Sequence, residues 1–194
     1  LDIPADEIPD DHPEVLEFAG MTCDEMIDNL MTKVSKEQVD HYYKVMFPED
    51  YASEESIPLN FNFPFYNNSF SSFFVNSNGW LGFGADNDGW ENLSLPNNQA
   101  PLNAVFGFWD DLNPVNNSNN SGNGIIKYSS MNDMAVVWFD GVDHWPTNFE
   151  GSNYDFQMIL YNTGDIGLNY RSMQGDASSG TIGVQNSDGS LATQ

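Results

Sequence analysis

The sequence predicts an antiparallel β-sandwich of about nine strands preceded by a two-helix hairpin. Three observations carry that prediction. Beyond residue 57, apolar residues recur at every second position in short runs, the sign of a strand with one buried face. Turn residues separate those runs roughly every eight to twelve positions, and no helical period intervenes, which together indicate a sandwich. Between residues 21 and 48 the apolar spacing changes to three and four, the helical pattern. Closure into an up-and-down barrel is the structural alternative for the β part.

Residues 1–20 form an acidic, proline-rich arm. Asp2, Asp6, Glu7, Asp10, Asp11, Glu14 and Glu17 alternate with Pro4, Pro9 and Pro13, a composition that buries little and stays extended. Its spaced apolar residues, Ile3, Ile8, Val15, Leu16 and Phe18, are the candidate partner-binding set. Residues 21–48 follow as the predicted helical hairpin. Thr22 with Glu25 and Ser35 with Gln38 are capping pairs. Ile27, Leu30, Met31 and Val34, then Val39, Tyr42, Tyr43 and Met46, fall at helical spacing, and Phe47-Pro48 ends the run. So short a hairpin needs the β domain or a neighbouring molecule to pack on.

The β domain is expected over residues 57–194. Leu59, Phe61, Phe63 and Phe65 alternate with Asn60, Asn62 and Pro64. A turn at Tyr66 to Ser69 leads to Phe73–Val75, and Asn76-Ser77-Asn78-Gly79 to Trp80–Phe83. Asn-Gly supplies the positive φ of a tight hairpin, so these three strands read as a meander. Ala104–Trp109 reads as a buried strand, and the Asn-, Ser- and Gly-rich stretch 116–124 as a mobile loop. Two hairpins follow, 124–139 turning at Met131-Asn132-Asp133 and 154–170 turning at Asn162-Thr163-Gly164. Thr181–Gln185 is the last clear strand. If no further strand follows it, the sheet ends in an open edge that can accept an incoming strand. The N-terminal arm of another copy is a candidate donor, and repetition of that contact would build a filament.

The chain has 194 residues and a formal net charge of -24, from 29 acidic and 5 basic side chains. Such a field repels phosphate backbones and anionic membranes, which argues against a nucleic-acid partner. There is no apolar run of about 18 residues that would span a bilayer. Lysine scarcity and abundant Asn, Ser and Gly suggest a secreted protein. The absence of a leader before Leu1 is read as prior removal of a signal peptide or as a fragment.

Asp86, Asn87, Asp88 and Glu91 place hard oxygen ligands within one loop, and Asp110-Asp111 adds two at a strand end; the expected cofactor is calcium. His12, His41 and His144 show no metal-ligand spacing, and Cys23 has no identifiable base beside it. A carbohydrate-active enzyme would need two carboxylates flanking a bond, for which Asp110 and Asp140, with Trp109 and Trp138 nearby, are the first pair to test.

Phe63-Pro64-Phe65-Tyr66, Val75 to Gly84, Phe108-Trp109-Asp110-Asp111-Leu112, Gly164-Asp165-Ile166 and Ile182 to Gly189 together resemble a β-sandwich module of secreted bacterial proteins. That module occurs beside extracellular proteases and in large surface proteins. Its first half is similar to the nidogen-type extracellular domain of matrix and adhesion proteins. The resemblance implies a noncatalytic extracellular module for binding, adhesion or assembly, with other protein chains or copies of itself as partners. A self-polymerising filament subunit and a carbohydrate-active enzyme are the alternatives.

Overall fold

The computed structural model describes residues 43–44, 56–84, 89–114, 116–117, 120–145 and 151–194. In chain order the strands are β1 (Tyr43–Lys44), β2 (Ile57–Phe65), β3 (Asn68–Asn76), β4 (Trp80–Gly82), β5 (Ala104–Trp109), β6 (Leu112–Asn113) and β7 (Asn116–Asn117). They continue with β8 (Asn120–Ser121), β9 (Ile125–Ser130), β10 (Met134–His144), β11 (Asn153–Tyr161), β12 (Ile166–Gln174), β13 (Thr181–Gln185) and β14 (Ala192–Thr193). One sheet runs β1-β9-β10-β11-β12, with β6 on the far end of β10, and the other runs β14-β13-β5-β4-β3-β2. All pairings are antiparallel.

The core lies between the sheets and draws on both. Phe63, Val75, Leu81 and Val105 from one meet Ile126, Val137, Phe139, Phe156 and Met158 from the other. Alternation makes this possible, since every second residue of each strand points inward. Phe139 and Phe156 stack with ring centroids 4.6 Å apart. A second cluster of Trp80, Ala100, Ala104, Phe106 and Trp109 is covered by Leu93 and Leu95 of the long β4–β5 connection. The indole N–H groups of Trp80 and Trp109 both donate to the Gly89 carbonyl, at 3.0 and 2.9 Å. That satisfies two polar groups which burial would otherwise leave costly.

The predicted sandwich strands are found, and nine of those in the described residues are three residues or longer. The helical hairpin is corrected. Among the described residues there is no helix, and Tyr43 and Lys44, assigned to the second helix, pair as β1 with Tyr128 and Lys127 of β9. The edge of β9 offers unpaired backbone groups to a tyrosine-containing segment with good strand propensity, and tertiary pairing overrides a short helical period. The rest of the predicted hairpin up to residue 42, and the arm before it, lie outside the described residues. Stretch 116–124, predicted as a mobile loop, contains the small ladder β7–β8. The last strand does have a partner: β14 pairs Ala192 with Gln185 and Thr193 with Val184, so that edge is closed over two residues.

Candidate functional site

Strands β5, β10 and the β12–β13 connection all finish at one end of the sandwich, and their last residues meet there. The Asn76–Gly79 turn sets the position. Gly79 has φ of +85°, as the Asn-Gly signal predicts, and a Cβ there would lie 1.9 Å from the Phe108 carbonyl oxygen. The close approach lets the Gly79 carbonyl accept from the N–H groups of Gly107 and Phe108 at 3.0 and 3.1 Å. Asn78 continues the seam: its carbonyl accepts from the Asp110 N–H at 3.2 Å and its Oδ1 from the Leu112 N–H at 2.9 Å. Asp110 is thereby held at the end of β5, with 6% of its surface exposed.

Around Asp110 the carboxylate oxygens are occupied. Oδ1 accepts from the Asp111 N–H at 3.0 Å and lies 3.4 Å from His144 Nε2. Oδ2 accepts from the Ser179 hydroxyl. His144 sits at the end of β10, where its backbone N–H donates to Ser152 Oγ at 3.0 Å and its Nδ1 faces the Trp145 carbonyl. A carbonyl only accepts and a carboxylate prefers a donor, so both ring nitrogens are placed to carry hydrogen, which defines the imidazolium. The hydrogen bond to Asp110 accordingly raises the His144 pKa, against burial, which lowers it. Burial pushes the Asp110 carboxyl up, but hydrogen bonds from His144, Ser179 and the Asp111 backbone outweigh it and hold the group below its ordinary value. Asp111, half-buried, is raised by burial.

The β12–β13 connection closes this end. Asp176 caps its own turn, accepting from the Ser178 N–H and hydroxyl at 2.9 and 2.6 Å, and its carbonyl accepts from Tyr154 Oη at 3.2 Å. Gly180 presses on the Phe108 ring so closely that a Cβ would lie 2.3 Å from Cε2. The cluster is a brace that ties three chain segments by mutually satisfied polar groups.

The flank beside it is differently built. β12 is the outer strand of its sheet, nine residues long, without proline, and pairs only with β11 among the described residues. Tyr170 crosses the sandwich, donating from Oη to the Gly107 carbonyl at 2.6 Å, and its burial pushes the phenol up to about 12.

Of the candidate ligands read from the sequence, Asp110 and Asp111 belong to the brace, Glu91 is exposed, and Asp86, Asn87 and Asp88 lie outside the described residues. So do Ile3, Ile8, Val15, Leu16 and Phe18. Among the described residues no group of three or more His, Cys, Asp and Glu converges as metal ligands. The suggested carboxylate pair is not brought to a common partner: Asp140 Oδ2 binds Lys127 Nζ at 2.6 Å, whereas Asp110 is held by His144 and Ser179. Asp110 is held by His144 and Ser179, and Ser152 holds His144 rather than Asp110. Their only sequence signal is that each lies at or near a strand end.

Two packed antiparallel sheets with a braced end define a β-sandwich module. A family model described as NIDO related matches residues 32–194, and the chain belongs to that family. The matched span begins before residue 57 and includes β1. No curated protein and no solved structure matches the chain. Among the described residues no helix is long and apolar enough to cross a membrane.

Proposed function

We propose that the chain is a noncatalytic module of a secreted or cell-surface protein, working in binding, adhesion or assembly. Family membership supports the class. The observation that carries the reading is the self-satisfied state of the Asp110 cluster. A general acid or base must reach a substrate proton, yet the Asp110 oxygens are spent on His144, Ser179 and Asp111, and Asp140 is spent on Lys127. These contacts do structural work at the end of the sandwich.

Two measurements test the reading. Protease treatment of intact source cells should release the chain if it is displayed outside, and protection until lysis would overturn the placement. Incubation with a panel of polysaccharides should give no hydrolysis; turnover abolished by Asp110→Asn would establish the carbohydrate-active alternative. The proposal of calcium is confined to the Asp86–Glu91 loop, whose oxygen-rich composition supports it. A chelator that leaves the melting temperature unchanged would remove it.

A further inference from the structure

Resting on the module reading, we propose that the outer edge of β12 is a binding site for one extended, cationic polypeptide segment, which adds to the sheet as an antiparallel strand beside Ile166–Tyr170. A sandwich has four lateral edges, and here three are blunted. β9 is capped by β1 and β13 by β14, each over two residues, and β2 carries Pro58 and Pro64. The β2 edge also spends the Asn60 N–H on Ser130 Oγ at 3.0 Å. Prolines, short capping strands and side-chain cover are the ordinary means by which sheets avoid unwanted pairing. Among the described residues, β12 has none of them along its first five residues, Ile-Gly-Leu-Asn-Tyr. Its pairing with β11 is regular from Ile166 to Tyr170, and the register shift opposite Asp155 and Phe156 then leaves Arg171 as the extra residue. The flat stretch offered to a partner is therefore Ile166–Tyr170.

Side chains on that stretch are built for extension. Ile166 and Leu168 pack against the core but are only partly buried, and Tyr170 is 37% exposed although its hydroxyl is anchored. A neighbouring strand at the usual spacing of about 4.8 Å would place its own inward side chains against these three and complete their burial. On the opposite face lie Gly167 and Asn169, which impose no bulk. Backbone pairing would supply affinity and alternate side chains the specificity.

Charge selects the occupant. Exposed Asp165 and Asp176 bracket the two ends of β12, the chain as a whole carries -24, and the one cation on the strand, Arg171, is 3.5 Å from Asp155. A second copy would bring the same negative field, and its Leu1–Phe18 arm would bring more acid. A segment alternating apolar and basic residues meets the apolar shelf with one face and the acidic field with the other, with association that weakens as salt rises.

The test uses the full 194-residue chain and a blocked heptapeptide of alternating Lys and Val as probe. We expect binding at least tenfold tighter than that of the Glu-for-Lys peptide, weakened by salt, with slowed amide exchange at residues 166–170 and none at residues 57–65. An added strand bonds through one edge, and alternate N–H groups point to opposite edges. N-methylation of one alternate set of probe residues should therefore abolish binding while methylation of the other set is tolerated. Equal binding of the Glu peptide, equal response to both methylated sets, or protection elsewhere would overturn the proposal. So would concentration-dependent protection of residues 166–170 without probe, which would assign the edge to a second copy. Failure here leaves the module reading standing, whereas glycan hydrolysis would sink that reading and leave the edge untouched.

Discussion

Along the flank formed by β2 and β9, Asn60 sews the sheets together twice, its backbone N–H donating to Ser130 Oγ at 3.0 Å and its Nδ2 to the Ser130 carbonyl at 2.7 Å. Along the flank of β12, the corresponding tie runs to β5, the Tyr170 phenol on Gly107 at 2.6 Å. The first flank buries its strand: Ile57, Leu59, Phe63 and Phe65 are all core residues, and Phe63 stacks on Phe83 at 5.2 Å. The second leaves its strand half-covered, with no residue of β12 fully buried. Both strands are nine residues long and both are outermost in their sheets. Length and position therefore do not decide whether an edge is available; inward burial, proline and side-chain ties do.

The largest test of that contrast is a pair of truncations. Phe63→Ala should cost about 3–5 kcal/mol, the range for deleting a fully buried ring, while Leu168→Ala on a partly covered strand should cost only about 1 kcal/mol. Urea unfolding of both variants measures the two values, and equal losses would break the comparison. Next in size is Gly180→Ala in the connection that leaves the β12 flank. Its new Cβ would meet the Phe108 ring at 2.3 Å, so overpacking of about 1–3 kcal/mol is expected, read by the same unfolding curves. An unchanged midpoint would mean that the connection gives way without disturbing the core.

Much of this contrast was not legible in the sequence. Period two marked the runs that became β2 and β11, and a continuous apolar run marked β5, because each of these patterns is local to its own strand. Asn78-Gly79 marked its turn for the same reason: φ of +85° at Gly79 is a property of one residue. Strand order is not local. Nothing in Ile166–Tyr170 distinguishes an outer strand from an inner one, and β1 was hidden inside a helical spacing until β9 supplied its partner. The Asp110 brace was invisible for a related reason. Ser179 lies 69 positions from Asp110, and only closure of the sandwich brings them together. Asp110-Asp111 reads as a pair of hard oxygen donors because two adjacent acids advertise charge, while the histidine 3.4 Å from one of them lies on another strand.

The brace closes the end shared by both flanks, and pH addresses it. His144 has a raised pKa, so its stabilisation is complete below the ordinary imidazole value of 6.5 and fades as pH rises through the folded value. Asp110 has a lowered pKa, so its share is present above the ordinary carboxylate value of 3.8 and is lost as pH falls through the folded value. The pair is worth most from about pH 4 to 6.5. Raised Asp111 opposes the Asp110 share: its penalty sets in as pH rises past 3.8 and is complete above its folded value, because burial makes the folded form resist ionisation. His144→Gln should cost about 1.5–3 kcal/mol at pH 5.5, the scale of a charged hydrogen bond, and markedly less at pH 8.5. Thermal melts across that range provide the check, and a penalty independent of pH would show that packing, not charge, sets the role of His144.

The smallest effects belong to the two ties themselves, and they separate the flanks by chemistry. Asn60→Ala and Tyr170→Phe should each cost about 1 kcal/mol at neutral pH, the net value of an ordinary intramolecular hydrogen bond. Only the tyrosine tie should fail in alkali. Burial lifts Tyr170 from 10.0 to about 12, so the folded state resists a charge that the unfolded state accepts. The sign follows directly: stability conferred by the neutral phenol is intact below about pH 10 and falls as pH rises toward 12. Wild type and Asn60→Ala should therefore lose stability together between pH 9.5 and 11.5, while Tyr170→Phe, having no phenol to ionise there, should lose less. Loosening in that interval should begin on the β12 side, because its tie titrates and the Asn60 amide does not. Hydrogen exchange that accelerates first at residues 166–174 would sharpen the distinction between the flanks. Earlier acceleration at residues 57–65 would place the weaker seam on the β2 side and reverse it.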